Sequence, residues 1–350
     1  MTMFLVSLLA MTGPTAAQEG PGAQIAVQFA RPALNELTQA AEVITREIGD
    51  LCASPSAQTL SEARGAFAAL VPAWGKAHVL RFGPLLAEHR MERIFFWPDP
   101  RGIALKQVQA AIAEQDESAA TPAGLSQKSA ALQGLPALEF ALYGSGSDDL
   151  TVAAGAYRCR FAAAIAGNIE TIAGEVLAGW DDATGFASSF TGPAEDKEPY
   201  RSAAEVNGEI VRALSTQLRF IREAELLPAF GEDADKARGK RAPLWRSELT
   251  FTLVAAQLEG LRDLLNAAGY ESSLEYETAW VPGSILFEIG TATNAANGVA
   301  VPPVDAFGDE EARGKINVAS IAIESAAHMV TEKLAAALGL IMGFNALDGD

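Results

Sequence analysis

One short stretch of the sequence combines an aromatic ring, an imidazole and a guanidinium at helical spacing. Trp74 and His78 are four residues apart, and His78 and Arg81 are three apart, so on a helix their side chains share one face. Such a face could bind a ligand. A tryptophan packed in the core with His78 and Arg81 at its rim has the same spacing, and the sequence leaves both interpretations open.

A second candidate is an isolated carboxylate. Glu139 is the only charged residue between Lys128 and Asp148. Burying an unpaired carboxylate is costly, so either a cation neutralises it or it has a shifted pKa at a functional site; exposure on the outer helix face is the alternative. Arg241 and Arg246 are its natural partners, because a guanidinium fork matches a carboxylate.

A charged segment precedes the aromatic residues Phe95-Phe96-Trp97. His89 and Glu92 have the i, i+3 spacing of two metal ligands on one helix turn, although an exposed helix with alternating charges has it too. Arg93 is the better candidate for a fixed contact with a ligand. If the aromatic residues are exposed, they predict a surface that binds a protein partner.

The sequence lacks common catalytic signatures, including His-Glu-x-x-His, Gly-x-Ser-x-Gly, a phosphate loop and Cys-x-x-Cys. A zinc hydrolase usually needs three protein ligands, and the three histidines here, His78, His89 and His328, are scattered. We therefore assign no catalytic residue and expect a binding protein rather than an enzyme.

The elements that position these residues have the 3.6-residue period of helices almost throughout, and no segment alternates as a strand does. We predict an all-α fold of two packed helical-bundle halves, residues 23–184 and 200–350, separated by a polar stretch rich in Gly, Ser and Pro. Within the first half, a helix over residues 126–143 contains Gly134 and Pro136, and the proline predicts a kink.

Composition and the N-terminus indicate where the protein works. The 26 basic and 44 acidic residues give a net charge of −18, which argues against binding nucleic acid. Apolar residues 4–11, followed by small residues up to Ala17, predict a signal peptide over residues 1–17, although no basic residue precedes them; a buried N-terminal segment is the alternative. No later stretch has the ~18 uninterrupted apolar residues of a membrane span.

Cys52 and Cys159 are the only two cysteines. An exported protein can form a disulfide, and a bond between these two would close a loop of over a hundred residues. Two separate buried thiols are the alternative. Neither cysteine has a neighbouring histidine that would lower its pKa, so a catalytic cysteine is not expected.

Several motifs, in order and at long spacings, resemble the imelysin family of imelysin-like proteins, historically classed as metallopeptidases. The resemblance covers about residues 24–350, and its motifs are Arg81-Phe82-Gly83-Pro84, residues 92–99, 133–139 and 241–247, and the terminal Asp348-Gly349-Asp350. It implies a two-domain helical-bundle fold, export to the periplasm or cell envelope, a site between the domains, and an association with iron or haem uptake.

The sequence departs from the family's Gly-x-His-x-x-Glu motif. Gly134 and Glu139 match, whereas Pro136 replaces the histidine, and proline can neither ligate a metal nor transfer a proton. The resemblance therefore implies Glu139 as a site residue, but it implies no metal ligand at position 136. The cofactor stays open, with iron or another divalent metal as the candidates that the resemblance implies.

We therefore expect an exported binding protein that holds a small-molecule or metal-bearing ligand in a cleft between the halves. The candidate ligand-binding residues are Glu139, Arg93, Arg246, His78, Trp74, Arg81 and Arg241. An envelope module that binds another protein is one alternative. A metal-dependent peptidase with Glu139 as base is another, and Pro136 counts against it.

Overall fold

The secondary structure of residues 20–340, the part of the chain that the computed structural model describes, is helical and contains no strand. The predicted signal peptide and the Asp348-Gly349-Asp350 motif lie outside these residues. The longer helices are α1 (Arg31–Ala53), α2 (Ala57–Ala77), α3 (Ile103–Glu114), α4 (Gly134–Tyr143), α5 (Ala156–Asp181), α6 (Ala203–Phe220), α7 (Thr250–Ala268), α8 (Trp280–Asn297) and α9 (Glu310–His328). The all-α prediction is confirmed.

Short helical segments extend or connect these helices. Those with α-helical bonding are Pro21–Ile25, Arg90–Ile94, Pro122–Leu125, Phe186–Thr191, Leu227–Phe230, Tyr270–Ser273, Pro303–Ala306 and Ala335–Ala337. The 3-10 turns are Gly83–Leu85, Ala87–His89, Glu117–Ala119, Ala130–Leu132, Ser147–Thr151, Ala153–Gly155 and Gly239–Arg241. The π-helical turns are Ala26–Ala30, Ile221–Leu226 and Met329–Leu334.

The long helices pack in two groups on one continuous apolar core. Helices α1, α2, α4 and α5 form the first group, and α6, α7, α8 and α9 form the second. The first group precedes the polar stretch at residues 185–199 and the second follows it. Helix α2 packs against α7 and joins the two groups, so the core runs through both.

One local prediction needs correction. Helix α4 begins at Gly134 and not at residue 126, so Pro136 lies in its first turn, where no helical hydrogen bond is lost and no kink is required. Helix α2 begins at Ala57, where Ser56 and Thr59 form a reciprocal capping box. The N-cap position of α7 is occupied by Leu249.

Helix α5 is the central apolar helix of the first group. Residues Ala153–Asp181 form a helical stretch long and apolar enough to cross a membrane. However, 56% of its apolar 18-residue segment is buried within the protein, as in the core helix of a globular domain. Near its start, Cys159 forms a disulfide with Cys52 at the end of α1, with Cα atoms 5.5 Å apart. The bond therefore joins two helices of the same group.

Candidate functional site

Helix α4 starts at a position that only glycine can occupy. Gly134 has a φ of +78°, and a Cβ added there would lie 2.1 Å from the carbonyl oxygen of Ile94. This close approach holds the start of α4 against the short helix Arg90–Ile94. It also sets the rotation of α4, so that Pro136, Glu139 and Phe140 line one pocket.

A tight loop from the second half of the chain covers Glu139. Leu244 and Glu248 both have positive φ angles, of 52° and 64°, and the Leu249 N–H donates to the Leu244 carbonyl at 3.0 Å. The loop directs the backbone N–H groups of Arg246 and Ser247 toward Glu139. Two non-glycine residues in the left-handed region indicate a backbone shape that the surroundings enforce.

Glu139 is 2% exposed, and one of its oxygens is saturated with donors. Its Oε1 accepts from Arg246 N and Ser247 N, both at 2.9 Å, and from Ser247 Oγ at 3.0 Å. The Oε2 atom lies 3.7 Å from Nη1 of Arg246. Burial raises the pKa of Glu139, and these donors with the Arg246 charge oppose that rise. Of the two predicted partners, Arg241 and Arg246, the structure pairs Glu139 with Arg246, through its backbone as well as its guanidinium.

Beside this carboxylate lies a cavity of about 440 Å³, a size suited to a small organic ligand. Residues from both sides of the polar stretch line it: Phe96, Trp97, Pro98, Asp99, Pro100, Gly102, Ala104, Leu105, Val108, Pro136, Glu139, Phe140, Ala224, Pro228, Lys240, Arg241, Ala242, Leu244, Trp245 and Arg246. The Trp97 indole donates to the Ala224 carbonyl at 2.8 Å, which fixes this aromatic wall across the two halves.

A second polar cluster lies in the core around His78. The imidazole stacks on Trp74 with ring centroids 4.8 Å apart, and its Nε2 is 3.1 Å from Nη1 of Arg81. Gln257 Nε2 lies 3.1 Å from His78 Nδ1 and 2.9 Å from Oε1 of Glu225. Burial, with Arg81 nearby, lowers the pKa of His78 well below its usual value, and burial raises the pKa of Glu225 to about 8.

The donors and acceptors in this cluster favour a protonated Glu225. Arg81 can only donate, so Nε2 of His78 accepts from it. Arg81 also donates to Gln217 Oε1 at 3.2 Å. Gln257 Nε2 donates to Glu225 Oε1 at 2.9 Å, and Oε2 of Glu225 has no partner among the described residues. One neutral amide donor does not offset the burial of a negative charge, so these contacts favour the neutral carboxyl.

The candidate ligand-binding residues thus separate into three places. Glu139, Arg241 and Arg246 line the cavity, together with Pro136 at the position of the motif histidine. Trp74, His78 and Arg81 belong to the core cluster. Arg93 donates from Nε to Gln133 Oε1 and from Nη2 to Asn168 Oδ1, both at 3.0 Å, and does not line the cavity.

Sequence reasoning missed several residues of both sites. Trp245 and Asp99 lie within the motifs of the family resemblance and Lys240 directly precedes one of them, so adjacency to those motifs could have suggested all three. Glu225 and Gln257 gave no such signal, because each lies on a different helical segment and only packing brings them to His78.

Metal-ligating side chains do not gather in the described residues. Between residues 20 and 340 no group of three or more His, Cys, Asp or Glu residues could hold a metal ion. His89 is exposed and left-handed (φ 55°), and the spacing that it shares with Glu92 brings no third ligand. The cavity therefore offers one buried carboxylate and no imidazole.

Comparisons with known proteins agree with this architecture. The sequence model of the imelysin family, a peptidase family by name, matches residues 30–326. An imelysin-like protein from Psychrobacter arcticum 273-4 superposes with a TM-score of 0.75 and 18% identity over 92% of this chain and 96% of that one. An iron-regulated protein A precursor from Parabacteroides distasonis ATCC 8503 superposes with a TM-score of 0.74 and 12% identity over 89% of this chain and 94% of that one. No curated protein sequence matches. The chain belongs to the imelysin family.

Proposed function

We propose that this protein is an exported binding protein of the cell envelope that holds a small ligand in the cavity beside Glu139. The observation that carries the proposal is the cavity itself, which the two halves of the chain build together around a buried, hydrogen-bonded carboxylate. Cavities that combine apolar walls with a few convergent polar groups are typical ligand sites.

Export and a link with iron or haem uptake rest on the family and on the N-terminal sequence. One structural relative is named an iron-regulated protein A precursor. Residues 4–17 have the composition of a signal peptide. Both features support a role in the periplasm.

The cavity supports binding better than peptide hydrolysis. A metallopeptidase needs a Lewis-acid metal and a base that can reach its bound water. Pro136 faces the cavity in place of the histidine, and three donors already occupy Oε1 of Glu139. Phe95 is buried, and Phe96 and Trp97 are half-buried in the cavity wall, so this aromatic segment favours a ligand site over a protein-binding surface.

The test is to purify the protein from its native envelope and identify what accompanies it. Native mass spectrometry, elemental analysis and an absorption scan for haem would be applied to the wild type, to Glu139→Ala and to the exposed control Glu271→Ala. We expect the wild type and the control to retain a small ligand that Glu139→Ala loses while its helical circular dichroism is unchanged.

Retention of the same ligand by Glu139→Ala would contradict the assignment of the cavity. A wild type that carries neither iron nor haem, and binds neither when they are added, would remove the link with iron. In that case a ligand without metal would remain to be sought in the same cavity.

A further inference from the structure

The cationic groups of the cavity, unlike its carboxylates, have few partners in the protein. We infer that the cavity binds a small organic anion, a carboxylate attached to a flat apolar body. This inference rests on the proposed function, because it names the ligand class for the same cavity. An anionic ligand differs from the iron cation that the family association suggests, because the free charges that line the cavity are positive and attract anions.

Both carboxylates that line the cavity are already neutralised. Glu139 accepts the three hydrogen bonds from the Arg246–Ser247 loop and faces the Arg246 guanidinium. Asp99 accepts from the backbone N–H groups of Ile103 and Ala104, both at 2.8 Å, at the start of α3. The positive end of that helix balances its charge. Neither carboxylate is left to attract a cation.

The cations, in contrast, keep their donors free. Within residues 20–340, the side chains of Lys240 and Arg241 form no hydrogen bond or ion pair with a protein group. Among the described residues, the Arg246 guanidinium has one polar contact, at 3.7 Å from Glu139. It lies over the rings of Trp245 and Phe140, at 4.4 and 5.4 Å from their centroids. These three groups give the cavity a surplus of positive charge in a protein whose net charge is −18.

The walls define the rest of the ligand. Phe96, Trp97, Phe140 and Trp245 present aromatic surface to the cavity, and Pro136 adds apolar surface where a histidine would have been polar. Flat hydrocarbon or aromatic bodies pack well on such rings. Arginine forks bind carboxylates with two parallel hydrogen bonds, so the anionic group of the ligand would face Arg241 and Arg246.

The experiment compares three probes that share one ring system and differ only in charge: 2-naphthoate, neutral 2-naphthamide and cationic 2-naphthamidine. Isothermal titration calorimetry of the full protein should show that naphthoate binds at least about tenfold more tightly than the amide, and that the amidine binds most weakly. The affinity for naphthoate should fall as salt is added, because salt screens the attraction between exposed charges.

Charge-removing variants locate the contact. Lys240→Gln and Arg241→Gln should each weaken naphthoate binding by about fivefold and leave binding of the amide unchanged. A general loss of packing would weaken both probes equally. Arg262→Gln, an exposed arginine on α7 outside the cavity, is the matched control and should change neither.

The outcomes separate this inference from the proposed function. If the amide or the amidine binds as tightly as naphthoate, and Glu139→Ala loses that binding, the cavity is a ligand site and the anionic class is wrong. If none of the probes binds at millimolar concentration, the inference fails, and the ligand that accompanies the protein from its envelope decides the proposed function separately.

Discussion

At the scale of single residues, the protein buries two carboxyl groups in different settings. Glu139 meets three hydrogen-bond donors and an arginine, so its charge has partners at the edge of a cavity. Glu225 meets one amide of Gln257, and its Oε2 has no partner among the described residues. The pKa of both is raised by burial, but only Glu225 lacks the contacts that would hold a negative charge.

Glu225 makes the stability depend on pH. Its pKa of about 8 in the folded protein exceeds its ordinary value of 4.5, so its contribution to stability is present below pH 4.5 and is lost as the pH rises through 8. Arg81, the charged group that faces it, reduces this loss without cancelling it. Glu225→Gln removes the titration and preserves the shape of the side chain.

The free energy of unfolding of the wild type, relative to Glu225→Gln, should therefore fall between pH 4.5 and 8 by up to about 1.4 kcal/mol per pH unit. Urea unfolding at several pH values measures it. A difference between the two proteins that stays constant over this range would mean that Glu225 is ionised in the folded state. Glu271→Gln, which changes an exposed carboxylate, serves as the control.

At the scale of elements, the start of α4 depends on the close approach of Gly134 to the carbonyl of Ile94. Gly134→Ala should lower the free energy of unfolding by about 2–3 kcal/mol, because the new methyl group collides with backbone and φ is positive. It should also weaken ligand binding, since α4 carries Glu139. Thermal unfolding and the naphthoate titration measure the two effects.

Gly290→Ala is the matched control for this prediction. Gly290 lies inside α8, and an added Cβ would meet nothing within 4 Å, so alanine should leave the stability unchanged or raise it by up to about 1 kcal/mol. Equal effects of the two substitutions would show that the approach at Gly134 is not what positions α4.

At the scale of the whole molecule, the disulfide closes a large loop within the first group of helices. Cys52 and Cys159 are 107 residues apart, and a cross-link over such a distance restricts the unfolded chain strongly. The double variant Cys52→Ser/Cys159→Ser should lose about 2–5 kcal/mol of unfolding free energy relative to the oxidised wild type. Denaturant unfolding measures this.

Reduction of the wild type provides the control for that measurement. The reduced wild type and the double serine variant should unfold at nearly the same denaturant concentration, because both lack the cross-link. If the oxidised wild type unfolds at that same denaturant concentration, the disulfide adds nothing to stability. Helical circular dichroism at zero denaturant should be the same in all three samples.

The sequence by itself determined the fold class, because the 3.6-residue period is a local property and no segment alternated as a strand does. It also indicated Glu139 as a carboxylate that would need a partner if buried, because an isolated charge in an apolar helix requires a neutralising group. The sequence offered Arg241 and Arg246 equally, and the structure pairs Glu139 with Arg246. The ordered motifs were specific enough to predict the imelysin family, which the match over residues 30–326 confirmed.

Only the tertiary structure decided which candidates share a site. Trp74 and His78 stack as their spacing predicts, but α2 ends at Ala77, so Arg81 contacts His78 from beyond the helix and not from a shared helix face. This cluster packs in the core and meets Gln257 and Glu225 instead of the cavity. Side-chain spacing describes one helix, whereas a site between helices depends on how each helix is rotated against its neighbours. That rotation comes from long-range packing, such as the contact of Gly134 with Ile94, which has no local signature in the sequence.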